Sequence, residues 1–248
     1  MLLPVHLLRG FGQAGRSLST RTSMSALSGI EQATGQTFPP LFKQLHAAGR
    51  LSWGTPHPEW SEVVFPTLQA DPPVLLYAQD YEPLEHDELL ETWQELTAED
   101  HYNPLRTDLQ LLPFARTGAG DSYCFWSNAP GFSEPPVVMV WHDDDRADVL
   151  AASYQDFLFR KMVEAVADYQ RPYTLLSHGE LAGNLQRWLQ THHSFLRGDQ
   201  CLTLQRLFAR VDDIEEGNFS EEDAQAIVAD VIGFERLDES FAYVREDA

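Results

Sequence analysis

Three apolar runs follow one another at residues 109–115, 122–127 and 136–141, and they constrain the fold more than anything else in the chain. The linkers between them are short. They carry Gly118, Gly120 and Asp121, then Asn128, Pro130 and Gly131, the residue types that turn a chain back on itself between antiparallel strands. A β-meander is the simplest arrangement. An acidic turn, "HDDDRAD", comes next, and then "SYQDFLFRKMVEAVADY", where Ser153 and Asp156 form a capping-box pattern at the head of a helix. Tyr154, Phe157, Leu158, Met162, Val163 and Val166 give that helix an apolar stripe able to cover the sheet.

The segments on either side read less evenly. Residues 26–34 predict a short helix. After Gly35, "TFPPLFKQLHAAG" predicts a second, with prolines in its first turn, Gly49 as its C-cap, and Phe38, Leu41, Phe42 and Leu45 on one face. Between residues 51 and 80 the apolar runs "VVF" at Val63 and "PVLLYA" at Val74 suggest short strands. Residues 85–96 carry Leu89, Leu90, Trp93 and Leu96 at helical spacing. Beyond Pro172 the texture is helices only: one opened by Ser177 and Glu180, one at about residues 200–211, and one opened by Ser220 and Asp223. The expected fold class is α+β, an antiparallel sheet flanked by helices over residues 25–172, with a C-terminal helical extension at 173–248.

Charge narrows the partners. Against 38 acidic residues stand 17 basic ones, a formal net charge of −21, so the phosphates of nucleic acid or of an anionic membrane would be repelled. A basic protein partner suits this balance, although acidity also serves solubility. Cys124 and Cys201 follow no ligand or disulfide spacing, and Cys124 reads as a core thiol in a reducing compartment. Residues 1–24 stand apart, because up to Ser23 they hold three arginines and no acid. That is the composition of an organellar transit peptide. A start at Met24, with an over-extended or disordered leader before it, is the preferred account and makes the protein cytoplasmic, since the apolar run is too short for a signal-peptide core.

The search for chemistry yields little. "RTGAGDSYCFW" has no lysine and runs into a strand rather than a helix, so Gly118 and Gly120 are turn residues and not a phosphate cradle. "HDDD", His142 to Asp145, concentrates possible metal ligands, yet neighbours on an extended chain point to opposite sides; a solvated turn between strand and helix is the expectation. The rival is a metal-dependent hydrolase that uses Asp143 and Asp145. His192 and His193 lack the i, i+4 relation of paired ligands and read as surface residues. The stretch from Asp212 to Asp223 has the outline of a calcium loop, but Ile214 stands where an oxygen ligand is needed, and an acidic linker ending in a helix N-cap fits better. There is no G-x-S-x-G elbow.

Taken in order, four motifs resemble the SUKH superfamily, also called the Smi/Knr-like family. The first is Ile30 and Glu31, Gly35, Phe38 with Pro39, and the closing Gly49. The second is Leu112, Pro113, Phe114, Gly120, Asp121 and Tyr123; "PPVVMVWHDD" and "LAASYQDFL" are similar to the family's next strand and helix. Ala48 replaces the usual Asn before the closing glycine, and the helices after Pro172 have no counterpart in the minimal family domain. The resemblance implies a non-enzymatic binding domain without cofactor or metal, either an immunity protein that neutralises a basic toxin or a regulatory scaffold of the Smi/Knr type. A partner-binding face is expected to combine Trp53 and Trp60 with Asp143 and Asp144, core packing being the alternative for each tryptophan.

Overall fold

The computed structural model describes residues 27–55, 57–172 and 174–245; the leader at residues 1–24 lies outside them. Among the described residues six antiparallel strands form one sheet in chain order: β1 (Glu82–Pro83), β2 (Leu111–Arg116), β3 (Ser122–Trp126), β4 (Val137–Val140), β5 (Arg146–Ala151) and β6 (Ser240–Ala242). The expected meander is β2–β3–β4. The acidic turn leads into β5 instead of directly into a helix, because Arg146 and Asp148, which look like turn residues, occupy its outward positions while Ala147 and Val149 are buried. Asp148 is satisfied there by the Trp141 indole N–H, which donates over 2.8 Å.

The expectation of helices only beyond Pro172 also fails at its end. Ser240–Ala242 has no apolar run of its own and becomes β6 by pairing with β5, with Phe241 opposite Ala147. This strand exists because β5 offers a free edge.

Both faces of the sheet are covered. Leu112, Phe114, Tyr123, Phe125 and Val137 turn to one side, and Leu111, Cys124, Trp126, Val138 and Val140 to the other. The strands therefore read as continuous apolar runs rather than alternating ones. The first side is sealed by α1 (27–34), α2 (Pro40–Ala47) and α6 (Tyr154–Ala167). The second is closed in part by Leu96 of α5 (His86–Leu96) and by Tyr243 just past β6.

Local signals place most of these elements where the sequence puts them. Pro39 and Pro40 open α2, and Gly49, at φ +68°, ends it: the N–H of Arg50 reaches back to the Leu45 carbonyl at 2.9 Å. Glu85 and Glu88 form a capping box on α5, and the Ser153 hydroxyl accepts from the Asp156 N–H at the head of α6. All six stripe residues of α6 are buried. Their rings join a continuous aromatic layer: Phe114 stacks on Phe125 at 4.3 Å, Phe42 meets Phe125 at 5.4 Å, and Tyr154 and Phe157 lie edge-on to Phe114 at 5.4 and 5.6 Å.

The two short strands expected at Val63 and Val74 do not form. Trp60–Val63 and Phe65–Ala70 are helical turns, α3 and α4, with Pro66 in the first turn of α4, where its missing N–H costs nothing. Val74 to Tyr77 is a buried turn in which Leu75 takes φ +55°, incompatible with a strand. The apolar run there reports burial, not conformation.

The C-terminal helices are α7 (Leu181–His192), α8 (Gly198–Phe208), α9 (Val211–Glu215) and α10 (Glu221–Ile232). Ser220 and Asp223 box the start of α10 as expected, whereas α7 starts after Glu180 with no side-chain cap bond, and Ser177 turns its hydroxyl to the Thr174 carbonyl at 2.8 Å. At the α6–α8 contact the buried Gln200 donates to Asp156 at 2.8 Å, and Arg197 pairs with the same carboxylate.

His193 is exposed, but His192 is not the surface residue expected. It is fully buried, its Nδ1 hydrogen-bonded to the Trp188 carbonyl at 2.9 Å and its Nε2 accepting from the N–H of Leu75 at 3.3 Å. The imidazole thus takes up the backbone donor of a residue in the left-handed region.

Truncating the aromatic layer by Phe157→Ala should cost about 3–5 kcal/mol in urea unfolding, against less than about 0.5 kcal/mol for Val63→Ser, whose side chain is 58% exposed. Burial pushes His192 down from 6.5 to about 3. The unfolded ring therefore takes up a proton that the folded one refuses, so this group costs no stability above pH 6.5 and destabilises progressively as pH falls toward 3. About 2 kcal/mol should be gone by pH 5. His192→Gln should flatten that part of the stability profile; an unchanged acid slope would contradict the assignment.

Candidate functional site

Trp53 and Trp60 come together on the surface. After the Schellman turn at Gly49 the chain buries Leu51 and brings Trp53 against Tyr81, with ring centroids 5.8 Å apart, while Trp60 on α3 packs against Phe65 at 5.9 Å. Each indole N–H is used inward: Trp53 donates to the Val74 carbonyl at 3.0 Å and Trp60 to the Trp53 carbonyl at 2.9 Å. Both rings stay half-buried, and they line a groove of about 470 Å³.

The carboxylates of this groove are Glu82 on β1 and Glu85 and Glu88 at the head of α5. Arg116, the outward-facing last residue of β2, bridges two of them, with Nε 3.3 Å from Glu82 and an Nη 3.1 Å from Glu88. Glu85 accepts the Ser52 hydroxyl at 2.7 Å. The sequence pairs the two tryptophans with Asp143 and Asp144; the structure surrounds them with these three glutamates instead. Asp143 and Asp144 lie on the exposed β4–β5 turn, beside a second cavity of about 260 Å³ that His142 and Tyr102 line and that Arg116 also reaches. Glu85 and Glu88 are legible in the sequence as a capping box, but nothing local ties them to Trp53.

The β4–β5 turn is solvated, as expected, though it joins two strands. Asp121, in the turn after β2, meets it: its Oδ1 accepts from His142 Nδ1 at 2.7 Å and from the His142 backbone N–H at 3.1 Å, and its Oδ2 from the Thr117 hydroxyl at 2.9 Å. Gly120, at φ +105°, makes this tight β2–β3 turn; it carries no cradle of converging N–H groups, since its own N–H bonds the Thr117 carbonyl at 3.1 Å. Asp121, His142 and Asp143 each offer a potential metal-ligand atom within 4.8 Å of the others. Asp145, the other residue of the hydrolase reading, is not in that group; its carbonyl accepts from the Tyr243 N–H at 2.9 Å. The contacts of Asp121 account for its position without an ion.

The stretch from Asp212 to Asp223 is α9, a turn at Gly217 and the cap of α10. Asp223 is bound to Ser220 and Asp213 to Arg210. These two carboxylates are held at their own helix ends, Glu221 pairs with Arg171 at 2.5 Å, and no common centre is formed among the described residues. Cys124 and Cys201 are free and buried, and burial raises both thiols, which leaves them unreactive as thiolates.

The hydrogen bond to Asp121 raises His142 above 6.5. For Asp121 burial works upward, but the bonds from His142 and Thr117 together outweigh it and hold the carboxyl below its usual range. The stabilisation from charging His142 is therefore complete below pH 6.5 and fades as pH rises through the folded-state value. An NMR titration should place the His142 ring above 6.5 and return it toward that value in Asp121→Asn; an unmoved titration would show that the pair does not form in solution.

No helix among the described residues is long and apolar enough to cross a membrane. No curated protein and no solved structure shows significant similarity to the chain. Residues 22–160, more than half of the sequence and all four of the ordered motifs, match the SMI1 / KNR4 family (SUKH-1), and the chain belongs to that family.

Proposed function

We propose that this protein is a non-catalytic binding module whose partner is a basic protein, in the manner of an immunity protein that holds a toxin domain inactive. The observation that carries the proposal is the net charge of −21 of a chain that belongs to the SUKH-1 family, a family generally without catalysis and associated with protein–protein interaction and toxin immunity. Carboxylates crowd the exposed turn at 142–145 and the head of α5 at 85–88, so an approaching basic surface is steered from a distance and wrong, acidic partners are repelled. The binding residues proposed are Trp53 and Trp60 as apolar anchors, with Asp143 and Asp144 on the β4–β5 turn as steering charges.

A regulatory scaffold is the second reading. It is favoured by the helices α7 to α10, which lie outside the matched residues and offer further surface, including Leu202 at 53% exposure.

Affinity capture with the full chain should recover a basic protein at 50 mM salt, bound roughly tenfold or more weakly at 500 mM because long-range attraction is screened. For the immunity reading, one equivalent of the chain should abolish the activity of the captured protein. An acidic partner, or one indifferent to salt, would overturn the proposal; several co-purifying regulatory proteins with no inhibited activity would favour the scaffold.

A further inference from the structure

We infer that the groove between Trp53 and Trp60 is a pocket for an arginine side chain presented by the basic protein partner, a step that rests on the binding reading above.

The indoles of Trp53 and Trp60 form the apolar side of the groove. Both indole N–H groups are committed to backbone carbonyls behind them, so Trp53 and Trp60 present only carbon and π surface to the cavity. Their positions are fixed by those bonds and by Tyr81 and Phe65, which leaves little side-chain freedom to lose on binding. The rim is the opposite. Three carboxylates, Glu82, Glu85 and Glu88, face one guanidinium, Arg116, and the mouth is left two charges negative. Each carboxylate has more acceptor positions than the contacts it makes here.

An apolar side with an anionic rim selects among occupants. An anion is repelled. A purely apolar side chain would cover the glutamates without giving them a donor, which is costly. A cation meets both parts, since tryptophan is the best aromatic partner for a positive charge. Between the two basic side chains, arginine fits better: its planar guanidinium stacks on an indole, sheds water more readily than an ammonium and forks onto carboxylates. The rim itself shows this competence, because Glu82 and Glu88 already share the guanidinium of Arg116.

The test uses the full chain, its intrinsic tryptophan fluorescence, and two peptides of equal charge, acetyl-Gly-Arg-Gly-Arg-Gly-amide and its lysine counterpart. The arginine peptide should bind at least about threefold more tightly than the lysine one. Glu82→Gln with Glu85→Gln, which keeps an acceptor for the α5 cap, should weaken it at least about fivefold, and so should Trp60→Leu. The charge-matched pair Glu222→Gln with Asp230→Asn, exposed on α10, should change it less than about twofold. Equal weakening by the groove pair and the α10 pair would reduce the effect to net charge and overturn the pocket. If Trp60→Leu fails to fold, as judged by its thermal midpoint, the Glu82 and Glu85 comparison decides alone. Failure of the wild-type chain to bind the arginine peptide, while it still captures a basic protein in a salt-sensitive way, would remove the pocket and leave the binding reading standing. Peptide binding confined to the groove, with no basic protein captured, would support the pocket and remove the proposed partner.

Discussion

The packing of α6 onto the sheet through one aromatic layer holds the rest of the molecule in place. Phe114 and Phe125 stack on adjacent strands, Tyr154 and Phe157 press on them from α6, and Phe38, just before α2, closes the layer with Phe42 of α2. These rings come from three distant parts of the chain, and their contact holds β2 and β3 against α6 and α2. Arg116 and the turn holding Asp121 emerge at the ends of those strands. The position of Arg116 between Glu82 and Glu88, and of Asp121 beside His142, is thus inherited from packing beneath the surface.

Scarce cations are spent inside the fold. Arg160 of α6 pairs with Glu164 one turn along the same helix and with Asp238 of the segment leading to β6, each at 2.6 Å, while the buried Lys161 bonds Glu164 at 2.9 Å and lies over the Tyr123 ring at 5.6 Å. Coulombic attraction from Arg160 and Lys161 keeps Glu164 ionised although burial works against it. With 38 acids against 17 basic residues, pairing leaves a large acidic excess for the surface. That raises self-repulsion in the folded state and makes attraction to a basic surface the natural outlet for it.

How far the sequence can be read depends on how local each signal is. The meander, α2, α5, α6 and the cap of α10 are written in neighbouring residues: turn formers, capping boxes and a stripe at helical spacing. The α+β class and the family motifs follow from them. Where burial is high on every side, periodicity is erased, and Val74 to Tyr77 reads as a strand although Leu75 lies in the left-handed region. β5 is hidden for the opposite reason, since its charged outward residues resemble a turn. Trp53 and Trp60 stand out in the sequence, but the carboxylates that line the groove with them do not, because Glu82 and Arg116 are brought together only by the pairing of β1 with β2.

The sequence by itself determined the class of fold, most helix ends, the strands of the meander and a large negative net charge, because each is set by residues within a turn or two of one another or by composition alone. Tertiary structure decided which charges stand beside which rings, that His192 is buried against Leu75, that Asp121 orients His142, and that three residues near the C-terminus become β6. Those outcomes depend on contacts between residues tens of positions apart, and only the packed core fixes their geometry.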